Sequence, residues 1–183
     1  MKYFVSIGGA SGSIYGIKLL QELNKMEHEI HLIVSENAKK ILQHETTYTY
    51  NIIKAQADVV YDNNDLCAGP ASGSFNLDGM IVIPCSMKTL SAIAHGFGDT
   101  LTSRAATCCL KEGKKVILVI RETPLALSDI KNMLVAKENG AVILPAMPAF
   151  YHKPKQIDDL VDFIIGKVFD QLNLQHTLFK RWK

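Results

Sequence analysis

Hydroxyls and small residues that follow apolar runs are the first sign of chemistry in this chain. Gly8-Gly9-Ala10-Ser11-Gly12-Ser13 follows Tyr3-Phe4-Val5 and leads into Ile14-Tyr15-Gly16, a glycine-rich turn opening a helix. Small residues let a backbone approach a ligand closely, and free N–H groups at a helix start attract an anion. Ser35 ends the run Leu32-Ile33-Val34 with Glu36 beside it, and Pro84-Cys85-Ser86-Met87-Lys88-Thr89 follows Met80-Ile81-Val82-Ile83. Three hydroxyls at strand ends, Ser11, Ser35 and Ser86, with Thr89 and first-turn amides nearby, fit the phosphate of a mononucleotide. Each serine is also a good helix N-cap, and the glycines alone describe a tight strand-to-helix turn. The spacing departs from G-x-G-x-x-G, and no Walker A string is present, which argues against ATP bound in the P-loop mode.

Charged groups gather at further element ends. Arg121-Glu122-Thr123-Pro124 follows Val116-Ile117-Leu118-Val119-Ile120. As an exposed ion pair Arg121 and Glu122 would contribute little; at a strand end they can instead bind a phosphate or carboxylate and move a proton. Arg104 and Lys111 are seven residues apart, so on a helix they lie about 20° from one face, either as a solvated stripe or aimed together at an anion. The loop Pro145-Ala146-Met147-Pro148-Ala149-Phe150-Tyr151-His152-Lys153-Pro154 is stiffened by three prolines and carries an aromatic face, suited to packing or to a lid over a planar or prenyl-like ligand. Lys167 lies about 100° from the centre of the apolar stripe of its helix, where a long side chain reaches a pocket rim. The string Asp158-Asp159-Leu160-Val161-Asp162 has the D-D-x-x-D form of magnesium-dependent prenyl-diphosphate enzymes. It occurs once, in a first helical turn where the dipole favours aspartate, and reads as a solvated face, so no metal site is predicted.

These groups need a scaffold that brings strand ends together. Apolar runs predict strands at 2–7, 29–34, 79–84, 115–120 and 141–145, with a weaker one near 58–61. Amphipathic stretches predict helices at 13–26, 36–44, 86–95, 99–112, 128–139 and 156–172. Continuous apolar strands suit a sheet covered on both faces. Their alternation with helices predicts an α/β fold with a mainly parallel, doubly wound sheet that binds ligands at its carboxyl edge.

The 183 residues are 48% hydrophobic and 21% charged, which fits one domain over 1–183 and excludes extended disorder. A net charge of +2 lacks the basic excess of a nucleic-acid binder. No apolar run nears the roughly 20 residues of a membrane span, and the start reads as a strand instead of a targeting segment. Cys67, Cys85, Cys108 and Cys109 form neither a C-x-x-C pair nor a disulfide framework, which points to a reducing cytoplasm.

Gly9-Ala10-Ser11-Gly12, Pro70-Ala71-Ser72-Gly73-Ser74-Phe75, Pro84 to Ser91, Arg104-Ala105-Ala106, Leu110-Lys111-Glu112, Arg121-Glu122-Thr123-Pro124 and Pro148 to Pro154 occur in order along the chain. The set closely resembles the UbiX-type flavin prenyltransferases, through the terminal Arg181-Trp182. The resemblance implies a three-layer α/β/α Rossmann-like flavoprotein fold, a homododecamer and a metal-independent reaction. In that reaction reduced FMN and dimethylallyl phosphate are joined at flavin N5 and C6, phosphate leaves, and prenylated FMN passes to a UbiD-type decarboxylase. It implies FMN contacts at Gly9, Ala10, Ser11, Ser35, Ser86, Met87, Lys88, Thr89 and Arg121. It further implies substrate-phosphate contacts at Arg104, Lys111, Tyr151 and Lys167, and catalytic roles for Ser11, Glu45, Lys111 and Glu122. Some relatives have Arg where this chain has Lys167, and Lys keeps the charge without the bidentate geometry.

Two alternatives share the architecture. An FMN-dependent cysteine decarboxylase has a similar Pro-Ala-Ser stretch but would not need the Arg121 to Pro124 and Phe150 to Pro154 strings. A non-catalytic flavin carrier would keep Ser35 and Ser86 without needing Arg104, Lys111, Glu122, Tyr151 and Lys167.

Overall fold

The computed structural model describes residues 1–183. Six strands, β1 (Lys2–Ile7), β2 (Glu29–Val34), β3 (Val59–Val60), β4 (Gly79–Cys85), β5 (Lys115–Ile120) and β6 (Val142–Ile143), form one sheet in the order β3-β2-β1-β4-β5-β6. Every neighbouring pair is parallel. The helices are α1 (Ser13–Lys25), α2 (Glu36–Glu45), α3 (Tyr50–Lys54), α4 (Met87–Ala94), α5 (Leu101–Lys111), α6 (Leu127–Glu138) and α7 (Ile157–Leu172), with a 3-10 turn at Gly69–Ala71. The winding reverses between β1 and β4, so a crevice opens at the carboxyl ends of those two strands.

Although the strands are apolar throughout, their residues divide by period two between two faces. Tyr3, Val5, Ile7, Ile81, Ile83, Ile117 and Val119 share a core with α1 and α7. Phe4, Met80, Val82, Val116 and Leu118 share the other with α4 and α5. This is the predicted three-layer arrangement, and each large aliphatic side chain so buried is worth about 1.5–3 kcal/mol. Helix α6 is attached more lightly: Ala136 is buried, while Leu127, Ile130 and Leu134 form an apolar ridge on its outer side.

The predicted elements shift mainly at their ends. Ser86 and Thr100 stand outside α4 and α5 as N-caps, their side chains accepting from Thr89 N and Ser103 N. Strand β6 is shorter than expected, the chain leaving it ahead of Pro145, which has no N–H to give a ladder. The short α3 was not predicted; Thr49 caps it by accepting from Ile52 N.

Candidate active site

The crevice between β1 and β4 is built by backbone proximity. Gly8 N donates to Pro84 O at 3.0 Å, and a Cβ at Gly8 would stand 2.5 Å from that same oxygen. A Cβ at Gly9 would stand 2.8 Å from Asn37 Cβ. Only glycine fits so close to a neighbouring chain, which explains the doublet. The cleft beyond it holds about 700 Å³ and is lined by Gly9, Ser35, Ser86, Lys88 and Thr89 among the predicted residues. Sequence reasoning missed Asn37, Tyr61, Asn63, Thr102 and Ser103, which line it too.

Two of the hydroxyls are already engaged as caps. Ser35 Oγ accepts from Ala38 N at 3.2 Å, and Ser86 Oγ accepts from Thr89 N at 3.3 Å while lying 3.1 Å from Thr89 Oγ1. The cleft wall opposite is fixed by a buried chain: Ser6 Oγ lies 2.8 Å from Thr102 Oγ1, and Asn63 Oδ1 accepts from Thr102 Oγ1 at 2.8 Å and Thr102 N at 3.0 Å. The one signal for this wall was Ser6, a polar residue inside an apolar strand.

The first turn differs from a dinucleotide site in a specific way. Gly12, left-handed at φ 105°, is the N-cap of α1, and its N–H together with that of Ser13 donates to Glu45 Oε2 at 2.9 and 3.0 Å. Burial opposes the charge of Glu45, but bonds from Ser11, Gly12 and Ser13 outweigh it and lower its pKa. The position a pyrophosphate takes in a dinucleotide fold is thus filled by the chain's own carboxylate. Glu45, predicted as a catalytic acid, stands ionised at this helix start, where it also accepts a bond from Ser11. Neither Ser11 nor Ala10 lines the large cleft, and Met87 lies at its border as the first residue of α4.

Arg121 enters from the end of β5, where its N–H donates to Cys85 O at 3.3 Å. Its Nε is buried without a protein partner. A cleft lined by Gly9, Ser35, Ser86, Lys88 and Thr89 offers the hydroxyls and the ammonium that an anionic cofactor such as FMN needs, and the unsatisfied guanidinium nitrogen at the end of β5 is a further donor of that kind. Burial raises the Tyr15 pKa, and the nearby Arg121 charge partly offsets it. Burial alone pushes the Cys85 thiol up to about 12, so this cysteine is no nucleophile despite adjoining Ser86.

The remaining predicted residues stand outside this cleft. Glu122 is exposed and its Oε1 accepts from Thr123 N at 3.0 Å. Arg104 Nε donates to Ala71 O at 3.0 Å, and Lys111 lies beside Gly73 with its Nζ 3.6 Å from Glu112 Oε1. Their helical phase therefore aims both along the 69–75 segment. Tyr151 meets Trp182 edge-on at 5.3 Å in a second cavity, and Lys167 Nζ donates to Asp170 Oδ2 at 2.8 Å. Lys167 borders the stripe, and Asp170, three residues on along the same helix, captures its ammonium. In the D-D-x-x-D string, Asp159 accepts from Lys155 N and Gln156 N, and Asp162 pairs with Lys18 at 2.8 Å.

A doubly wound parallel sheet with a hydroxyl-lined cleft at its switch point defines a mononucleotide-binding α/β protein. The Flavoprotein family profile matches residues 1–169. The flavin prenyltransferase UbiX of Thauera aromatica is 48% identical over 182 residues, covering 100% of this chain and 94% of that one. The crystal structure of AnUbiX in complex with FMN and dimethylallyl pyrophosphate superposes with a TM-score of 0.97 at 45% identity, covering 100% and 97% of the two chains. A dodecameric FMN-dependent UbiX-like decarboxylase from Escherichia coli does so at 0.97 and 44%, covering 100% of each. The chain belongs to the flavin prenyltransferases of the Flavoprotein family. Full-length identity at this level disfavours the cysteine decarboxylase and carrier alternatives. No helix is long and apolar enough to cross a membrane.

Proposed function

We propose that this chain transfers a dimethylallyl group from dimethylallyl phosphate to N5 and C6 of reduced FMN, releasing phosphate. The observation that carries this reading is the cleft lined by Gly9, Ser35, Ser86 and Thr89 at the strand ends, supported by Arg121, whose Nε is buried without a partner and whose backbone N–H is bonded to Cys85 O, one residue before Ser86. Reduced FMN, when bound, supplies the electron-rich centres that accept the prenyl carbon. Ser35, Ser86 and Thr89 would hold the cofactor's phosphate, and Arg121 would lie against its ring. Arg104, Lys111 and Lys167 would neutralise charge on the departing phosphate, the role a metal plays elsewhere. Glu122, exposed at the strand end, would give that phosphate a proton and later remove one, as general acid and base. Ser11, fixed by Glu45, would face the reacting edge of the flavin. Tyr151 would close an aromatic wall that keeps water from the allylic carbon.

Tyr151 and Lys167 do not line the cleft of their own chain, so a neighbouring copy would bring them to it. The dodecameric relative and the exposed apolar ridge of α6 support a homo-oligomer, which we take to be a dodecamer. The product would serve a UbiD-type decarboxylase. Four free cysteines fit a cytoplasmic location.

The test is anaerobic incubation with reduced FMN and dimethylallyl phosphate, followed by mass analysis of the flavin. A gain of one five-carbon unit is expected; unmodified FMN from folded, flavin-loaded protein would overturn the reading.

A further inference from the structure

The residues after α7 fold back along it and converge on one carboxylate. Asp170 Oδ2 accepts from Lys167 Nζ at 2.8 Å, and Oδ1 accepts from Arg181 Nη2 at 2.7 Å and from His176 Nε2 at 3.2 Å. The tautomer is set by a further bond: His176 Nδ1 accepts from Leu178 N at 3.3 Å, leaving the proton on Nε2 to donate to Asp170. The His176 side chain is 1% exposed and that of Asp170 17%, so the carboxylate and the imidazole are shielded while Lys167 and Arg181 keep a face to water. Burial opposes the Asp170 charge, yet bonds from Arg181, Lys167 and His176 hold its pKa far below the carboxylate range. The carboxylate is therefore ionised at any working pH.

Packing makes the same fold-back tight. A Cβ on Gly166 would stand 2.6 Å from His176 Cε1, so the tail lies flush against the helix only because that position is glycine. Phe179 packs on Phe163 at 4.8 Å, Arg181 covers the Phe179 ring at 5.6 Å, and Trp182 meets Tyr151 at 5.3 Å. One carboxylate thus fixes two cations and, through Arg181, the aromatic pair.

We infer that Asp170 is a positioning residue that holds Lys167, Arg181 and the Tyr151–Trp182 pair in the arrangement that receives the prenyl donor's phosphate. The inference rests on the prenyl-transfer reading above. An ammonium on a long flexible stem binds a phosphate better when its place is already set, because less freedom is lost on binding. Asp170→Asn keeps the shape but removes the charge that gathers the cations. Gly166→Ala keeps every charge and pushes the tail off the helix.

Both variants are to be made in the full chain, with folding checked by thermal melting. Trp182 is the one tryptophan, so its fluorescence anisotropy reports the tail directly. In both variants anisotropy is expected to fall and KM for dimethylallyl phosphate to rise about tenfold, with kcat within about twofold and FMN affinity unchanged. Unchanged anisotropy would show that Asp170 does not hold the tail. Lower anisotropy with unchanged KM would show that the tail does not serve the donor, and loss of FMN binding or of kcat would make the role generally structural; each overturns the inference. Failure of the unaltered protein to prenylate FMN would defeat the functional reading and the donor half of this one, while the anisotropy comparison still decides whether Asp170 fixes the tail.

Discussion

The strand-end cleft and the α7–tail region both gather groups suited to phosphate, but they are held by different means. The floor of the cleft is made of main chain, with Gly8 bonded to Pro84 and glycines where any side chain would collide. Short side chains close to the backbone complete it: Ser35 and Ser86 as caps, Ser6, Thr102 and Asn63 in the far wall. The tail is held by side chains, with Asp170 joining Lys167, His176 and Arg181. Main-chain contacts are set by sheet register and barely move, whereas a side-chain junction can be loosened by one substitution. A flavin that must keep its place while two bonds form suits the first construction, and a donor whose phosphate departs during the reaction suits the second.

The largest effect expected of this contrast is at Gly8. Gly8→Val forces β1 and β4 apart where a Cβ would stand 2.5 Å from Pro84 O. FMN should be lost on gel filtration, and stability should drop by about 1–3 kcal/mol in denaturant titration. A flavin-loaded variant of normal stability would break the claim that backbone proximity builds the cleft.

Next comes Glu122, whose carboxylate bonds only its neighbour's N–H and so supports neither region. Glu122→Gln should slow flavin prenylation about 100-fold in a single-turnover mass assay and leave FMN binding intact. Loss of FMN binding would move Glu122 into the cofactor site.

The smallest effect falls on Glu45, a side-chain prop under the main-chain cleft. Its lowered pKa means that the folded chain keeps it ionised where the unfolded chain protonates it. Its contribution is therefore complete above the ordinary value of 4.5 and is lost as pH falls through the lower folded value. For so exposed a group, Glu45→Gln should cost no more than about 1 kcal/mol at pH 7, and the cost should vanish in acid. Melting curves of both proteins from pH 7 to pH 3 measure it; a cost that persists in acid would mean that the charge is not what caps α1.

Much of the main-chain half was legible in the sequence. Apolar runs marked β1, β2, β4 and β5, and Ser35 and Ser86 stood where strands yield to helices because cap chemistry and strand length are local. The phase of Arg104 and Lys111 also held, since seven residues on a helix return to one side. The long-range contacts escaped. Glu45 reaches back across α2 to the start of α1, and no spacing rule announces a carboxylate that fills a phosphate position. Asp170, three residues along the same helix, is a partner that helical spacing could have offered Lys167; Arg181 and His176 reach that carboxylate only through the folded tail. Tyr61 and Asn63 lie just past β3, a strand of two residues that is too short to mark its own carboxyl end in the sequence.

The bond from Gly8 to Pro84 has a consequence for how the protein is made. The floor of the cleft joins residues from opposite sides of the chain's first half, so a growing polypeptide that has not yet placed β4 has the glycine turn but no site. Closing so long a loop is slow and entropically costly, and the cleft cannot form ahead of the sheet. Flavin uptake therefore reports completion of the central β1–β4 pair, and flavin binding in turn draws unfolded chains toward the finished sheet by mass action.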